Sequence, residues 1–464
     1  MPAKWATWLA KQGDGNPRLE AEPSSNGFTT WDHAKHGIAP WMEFFYDWRF
    51  ADLFNTGALD MLLTCGAYRQ IAYSADGKEK WKYEDPDAGF LDIRLDSNFP
   101  VLDIDGDGKT EAVLPRKVNG VLQLCVIDTM TGITRHSTPF PDLKSHPNDL
   151  RVSVLAMNAR GTPTPHEILV GIDYWVLYLY DSDLNLIWER ELHYHPHRNK
   201  RHKMMGHTPL VKDIDRDGKD EIIAGSTVLG GDGRVRWVAP DLPAILRDGH
   251  VDCPVVLDWK GNGQPSIFFS TGAYNFERKG EFGWNLAWGL AKKSRFDLHP
   301  AQSIIHGQAA RVARLLPGSG GQQVVLYDNV NRVFRDKPDR VIAIAEGGRV
   351  LWEREFFGPN MQEGGFGFWC GDWDGDGLDE VFVNDRDKVN ILRGVNAEVM
   401  GTLPGHLVYV HDILGDNRAE AIIMDTIGPG QQLLICENND PHPRGEEPLK
   451  SRKVGPTLYN CTRY

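Results

Sequence analysis

Short apolar runs alternate with polar turns along most of the chain, and no run carries the 3.6-residue periodicity of a useful amphipathic helix. From about residue 42 the same order recurs. An apolar run such as FPVLDI or TPLVKDI meets an acidic turn. A second run follows, as in TEAVLP, DEIIAG or DEVFVN. A third is β-rich, as in WVLYLYD or VIAIAE. A tight Asp-Gly or Gly-Gly turn then leads to a fourth run that often ends in Trp: Trp81, Trp188, Trp237 and Trp352. Two-residue turns of this composition predict antiparallel hairpins. The recurrent Trp is expected to anchor one unit against the next.

The acidic turn in its most regular form reads D-x-D-x-D-G-x-x-E. Asp103, Asp105, Asp107 and Glu111 make one copy, Asp213, Asp215, Asp217 and Glu221 a second, and Asp372, Asp374, Asp376 and Glu380 a third. With these as register, eroded copies emerge. One keeps Asp52, Gly57 and Asp60, and another Asn158, Gly161 and Glu167. A third keeps Asp258, Asn262 and Gly263, and a fourth Asp412, Asp416 and Glu420. Near 315 only the glycine turn and the following strand remain. The copies start near 52, 103, 156, 213, 258, 315, 372 and 412. A period of about fifty residues signals an array of one supersecondary unit.

Four antiparallel strands per unit, repeated around a ring, describe an all-β propeller. The count predicts eight blades, with seven as the alternative. Residues 1–40, rich in Gly, Pro and Ser, are expected to form an extended arm. Residues 41–464 are expected to form a single propeller, with the tail 457–464 supplying an outer strand that closes the ring. The arm could complete the last blade instead.

Three carboxylates at alternate positions, a glycine for the bend and a closing acid make a hard oxygen cage, which suits Ca²⁺. The spacing is shorter than an EF-hand loop, and strands flank it rather than helices. The cages follow the first strands and repeat, so the ion is expected to serve mainly a structural role. Net charge is −13, from 51 basic and 64 acidic residues. This balance excludes the basic face of a nucleic-acid protein. The six cysteines are scattered without a CxxC pair. Cys65, Cys125, Cys253 and Cys436 lie in apolar runs and read as buried free thiols. No segment is long enough to span a membrane. The opening MPAKWATWLAKQGDG lacks the apolar stretch of a secretory signal.

The loop entering each first strand should open near the central channel, the usual ligand face of a propeller. Six residues before the first Asp of a copy stand Tyr46, Ser97, His207, Asp252, Phe366 and His406. His250 and His306 fall nearby in their own repeats. Four histidines at blade entrances, each beside Gly, offer groups that titrate near neutral pH. His207 and His250 enter consecutive repeats and form the favoured pair. The run HYHPHRNKRHK before His207 could collar an acidic polymer or be an ordinary solvated loop.

The repeats, with D-x-D-x-D-G-x-x-E between apolar strands, resemble FG-GAP or VCBS-type repeats. They are similar to those of polysaccharide lyase family 11, the rhamnogalacturonan lyases, over residues 42 to 464. The ending YNCTRY also resembles that group. The resemblance implies a Ca²⁺-binding eight-bladed propeller that cleaves an acidic, rhamnose- and uronate-containing polysaccharide or oligosaccharide by β-elimination. It implies a monomer in an extracellular or periplasmic location, with any signal outside this numbering. A non-catalytic carbohydrate- or protein-binding propeller is the alternative. Such a lyase needs a base, an acid and a cation facing the uronate carboxylate. The irregular stretch from Arg247 to Gly280 contains suitable parts. The expected roles are His250 or His207 as base, Tyr274 as acid, and Arg247 or Arg278 on the carboxylate. Trp284 or Trp288 could offer a sugar-stacking face.

Overall fold

The computed structural model describes residues between 46 and 438. Within that span it leaves out the segments 86–93, 96–98, 142–150, 193–208, 239–253, 290–306, 331–336, 358–367, 413–416 and 426–431, together with a few shorter ones. The expected arm 1–40 and closing tail 457–464 lie outside the described residues.

Every acidic turn of the sequence joins the first and second strands of a sheet. In the second repeat, Val101–Leu102 leads through the turn into Glu111–Val118, then Val121–Asp128 and Thr134–Pro139. Six sheets have this four-stranded antiparallel form, spanning 46–84, 101–139, 210–238, 254–289, 307–356 and 368–404. The other two depart from it. Residues 151–191 form four antiparallel strands plus a fifth, Arg94–Leu95, which pairs in parallel with the start of Arg151–Met157. Residues 406–436 form three strands among the described residues. Among the described residues the expectation of eight, or seven, four-stranded blades is therefore corrected to six sheets of that simple form. The difference arises because one sheet adds a parallel strand to its four and another shows three among the described residues. We number the eight sheets 1 to 8 in chain order.

Burial follows strand position. The middle strands are covered on both faces, so Glu167–Ile172, Gln323–Asp328 and Asp339–Ala345 are buried throughout. Outer strands such as Leu186–Glu191 are mostly exposed. The core lies between sheets rather than inside any one. One apolar cluster joins sheets 2 and 3 through Val113, Val126, Val154 and Ile168. Others join 1 to 2, 3 to 4, 4 to 5, 5 to 6, 6 to 7 and 7 to 8. The first strands of successive sheets lie against one another, as Pro254–Leu257 does against Gly307–Ala313. Closing each sheet onto the next is the propeller solution to the exposed-edge problem.

The outer-strand tryptophans act as anchors. Trp81 Nε1 donates to Thr129 O at 2.6 Å, Trp188 Nε1 to Gly231 O at 3.0 Å and Trp352 Nε1 to Gly394 O at 2.7 Å. Each acceptor belongs to the outer hairpin of the following sheet. A second donor two residues on reinforces two of them: Arg190 to Gly233 O, and Arg354 to Ala397 O. Where Trp81 lies under the hairpin, Gly132 adopts φ +73°, and a Cβ there would come within 2.6 Å of the indole. Trp237 packs against Phe269 of the next sheet, with ring centroids 6.5 Å apart.

The acidic turns are themselves tied together. Asp220 N donates to Asn158 O at 2.8 Å, and Asn158 N donates back to Asp220 Oδ2 at 2.7 Å. Asp379 and Arg314 make the same reciprocal pair, at 2.8 and 2.6 Å. Gln322 and Asp258 do so at 2.8 Å in both directions. Each pair links the turn of one sheet to that of the sheet before it.

Candidate functional site

The turn geometry follows from the residue types. The first Asp accepts the N–H five residues on. Asp103 takes Gly108 at 2.9 Å, Asp213 takes Gly218 at 3.1 Å and Asp372 takes Gly377 at 2.8 Å. These glycines stand at φ +85°, +87° and +91°, where a side chain would be strained. The closing acid reaches back to the residue after the first Asp. Glu111 accepts from Ile104 N at 3.2 Å, Glu221 from Ile214 N at 2.9 Å and Glu380 from Trp373 N at 3.0 Å.

The eroded copies keep these bonds. Asp60 accepts from Leu53 N at 3.0 Å and Glu167 from Ala159 N at 2.8 Å. Gln323 accepts from Leu315 N at 2.7 Å, in the repeat whose acidic residues are lost from the sequence pattern. An amide oxygen does that work as well as a carboxylate, so the acid is not needed for the turn itself.

In three copies the turn also gathers carboxylates. Asp103, Asp105 and Glu111 each place an oxygen within 4.8 Å of the others, as do Asp213, Asp215 and Glu221, and Asp372, Asp374 and Glu380. Asp107, Asp217 and Asp376, expected as further ligands, stand outside these groups. Their Oδ1 atoms accept the N–H two residues on, from Lys109 at 2.8 Å, Lys219 at 2.8 Å and Leu378 at 2.7 Å. That is the short Asx turn open to any aspartate in a bend. Burial raises the pKa of the glutamates. Glu111 and Glu221 are pushed up to about 7, and Glu380 to about 8, with neighbouring aspartates adding to the effect.

Hard oxygens around a charge-starved centre fit a divalent cation. Two oxygens are direct signs of this fit, both buried without a hydrogen-bond partner: Asp213 Oδ1 in the second group, and Glu111 Oε1 in the first, which faces the Arg135 guanidinium at 2.9 Å. When bound, calcium would supply the positive charge that lets Glu221 or Glu380 ionise in place. These groups lie where the first strand ends, opposite the entrance loops.

The entrance face is described in part. His207, His250, Arg247 and His306, and the run 193–203, lie outside the described residues. Tyr274 and Arg278 both sit on the Gly272–Lys279 strand, where register separates them. Tyr274 pairs with Ile267, near the Phe269–Gly272 turn at the entrance end. Arg278 pairs with Phe282 at the far hairpin, on the side of the acidic turn. The structure does not bring these two to one end of the sheet. Trp284 and Trp288 fall on the neighbouring Glu281–Gly289 strand, opposite Phe276 and Ala273. Tyr46 and His406 are the first residues of the first strands of sheets 1 and 8.

Two entrance-end features escape the sequence pattern. Arg94 pairs with Arg151 where the parallel strand meets the inner edge of sheet 3. In sheet 6 a buried network joins Asp328 to Arg340, Arg340 to Glu353 at 2.9 Å, and the Tyr327 hydroxyl to Asp339 Oδ2 at 2.7 Å. Both depend on pairing between segments far apart in sequence, or on register at a strand end, and neither has a local motif.

Neither a protein-family model nor a curated protein matches the chain. Solved structures do. An exotype rhamnogalacturonan lyase, YesX, aligns over 84% of this chain and 72% of its own, with a TM-score of 0.58 at 18% identity. Rhamnogalacturonan lyase YesW covers the same shares with a TM-score of 0.54 at 18% identity. A rhamnogalacturonan lyase from Bacillus licheniformis covers 84% of this chain and 71% of its own, again with a TM-score of 0.54 and 18% identity. At that identity the likeness is one of fold.

Proposed function

We propose that this chain is a polysaccharide lyase acting as a monomer on an acidic, rhamnose- and uronate-containing glycan outside the cytoplasm. The observation that carries this reading is the alignment of three rhamnogalacturonan lyase structures over 84% of the chain. The repeat unit supports it, because an Asp–Gly turn joins the first and second strands in sheets 1, 2, 4, 5 and 7. In this reading sheets 3 and 8 are the seventh and eighth blades, and calcium occupies acidic turns on the side away from the substrate.

The reaction is a β-elimination. A base removes the proton on the carbon α to the uronate carboxylate. The electron pair forms a carbon–carbon double bond, and the glycosidic oxygen leaves on the adjacent carbon, taking a proton from an acid. His250 or His207 is the base and Tyr274, at the entrance end of its strand, is the acid. The developing enolate charge needs a cation against the carboxylate. Arg247 suits that role better than Arg278, whose register places it at the other end of the sheet.

The test is ultraviolet detection of unsaturated uronate during incubation with rhamnogalacturonan, gum arabic, ulvan and a neutral glycan. Product from one acidic polymer is expected, with none from the neutral one. Silence across the panel from folded, calcium-loaded protein would leave the fold as a carbohydrate-binding propeller.

A further inference from the structure

The three carboxylate groups are not equivalent. The first already contains a cation. Arg135 Nη1 lies 2.9 Å from Glu111 Oε1, 3.4 Å from Asp107 Oδ2 and 3.5 Å from Asp105 Oδ2, while its Nη2 lies 3.1 Å from Asp128 Oδ2. Glu111 is fully buried, so this guanidinium is the positive charge facing an otherwise uncompensated acid. Among the described residues no Lys or Arg stands within ion-pair distance of Asp213, Asp215 or Glu221.

Register explains the difference. Ile127 pairs with Thr134 and Val126 with His136, so Arg135 sits in the intervening β-bulge. Bulges re-aim a side chain. The corresponding bulge residues are Arg236 in sheet 4 and Met400 in sheet 7. Asp128, opposite Glu111, holds Arg135 in place. One pair beyond Ile222–Leu229 and Val381–Leu392, the matching positions are Gly230 and Arg393. Without that anchor, Arg236 turns instead to Asp232 at 3.3 Å.

A neighbouring sheet supplies a second instance. In sheet 3 the position of the second aspartate is Arg160, and its guanidinium pairs with the fully buried Glu167. The chain thus sets a guanidinium of its own against a turn glutamate in two adjacent sheets.

We infer that Arg135 is a tethered cation that takes the place of the metal in the first acidic turn, so that divalent ions enter the second turn and not the first. The inference rests on the calcium reading above. It assigns to a covalently attached charge a role that the repeat pattern alone would give to an ion. A guanidinium cannot be chelated, so sheet 2 keeps its turn when calcium is withdrawn.

The test is equilibrium dialysis of the full chain against calcium, with bound metal counted per chain. R135Q is expected to bind one more ion than the wild type, and R135Q combined with D105N is expected to return to the wild-type count. Should R135Q fold poorly, D128N removes the Asp128 anchor of the guanidinium and is likewise expected to bind one ion more than the wild type. Equal, non-zero binding by the wild type and these variants overturns this inference and leaves the calcium reading standing. No binding by any of them overturns both.

Discussion

Phe50 and Tyr409 stack with ring centroids 6.2 Å apart and planes inclined by 16°. One belongs to the first strand of sheet 1 and the other to the first strand of sheet 8, so the two ends of the array meet through an aromatic pair. Tyr409 also meets Trp369 of sheet 7 edge-on at 4.7 Å. Trp369 in turn lies under the Arg311 guanidinium of sheet 6, at 4.4 Å. The inner seam from sheet 6 round to sheet 1 is therefore aromatic and cationic. The same contact brings together the strands that open with Tyr46 and His406.

Breaking the closure should be costly. Phe50 is 5% exposed, and large-to-small changes at buried aromatic positions cost about 3–5 kcal/mol. F50A is expected to lie in that range, with Y409A lower because Tyr409 is only half-buried. A double-mutant cycle from denaturant midpoints should return a coupling of about 1 kcal/mol for the pair.

The tryptophan anchors make a more selective prediction. W352F keeps most of the buried area but removes the donor to Gly394 O, which should cost about 1–3 kcal/mol. G132A forces a side chain into left-handed backbone and into the Trp81 ring, and should cost about 2 kcal/mol or more. Thermal melts read both, and an outer-face substitution at Val121 should leave the melt almost unchanged.

The response to calcium should depend on pH, with a definite sign. Glu221 and Glu380 have folded pKa values of about 7 and 8, above their unfolded values. Without metal, their contribution to stability is fully present below the unfolded pKa and is lost as pH rises through the folded one. Calcium binds the carboxylate form, so it should restore what the rise in pH removes and should release protons on binding. Melts with chelator and with calcium should converge near pH 5 and separate toward pH 8.

The buried thiols should be inert. Burial pushes Cys125 up to about 11, and Cys370 is raised well above the ordinary thiol range. The thiolate is the reactive form. Peptide mapping after alkylation of the native protein should find the Cys125 and Cys370 peptides unlabelled, and labelled once the chain is unfolded.

The repeat was legible because its bonds are local. Asp103 to Gly108 and Glu111 to Ile104 span five and seven residues, so the residue pattern carries the turn directly. Trp81, Trp188 and Trp352 were legible because each follows a hairpin at a recurring distance, although each lies early in its strand rather than at the end the sequence suggested. Gln323 was missed because an amide that closes the turn does not look like a carboxylate. Arg135 was missed because it reaches Glu111 only through a bulge, and one residue of slip would aim it elsewhere. Sheet make-up was illegible for a similar reason: Arg94–Leu95 joins sheet 3 by parallel pairing between residues 57 positions apart, and a two-residue strand has no pattern of its own.

The reciprocal bonds between turns make the rim of the molecule behave like a hinged chain of links. Asp220 holds the Asn158 turn with both its N–H and its carboxylate, and the very next residue is Glu221. Asp379 holds the Arg314 turn in the same way, immediately before Glu380. Whatever fixes the glutamate of one sheet therefore also restrains the sheet before it. A bound ion at a single turn would brace two neighbouring blades, and losing it would loosen both at once.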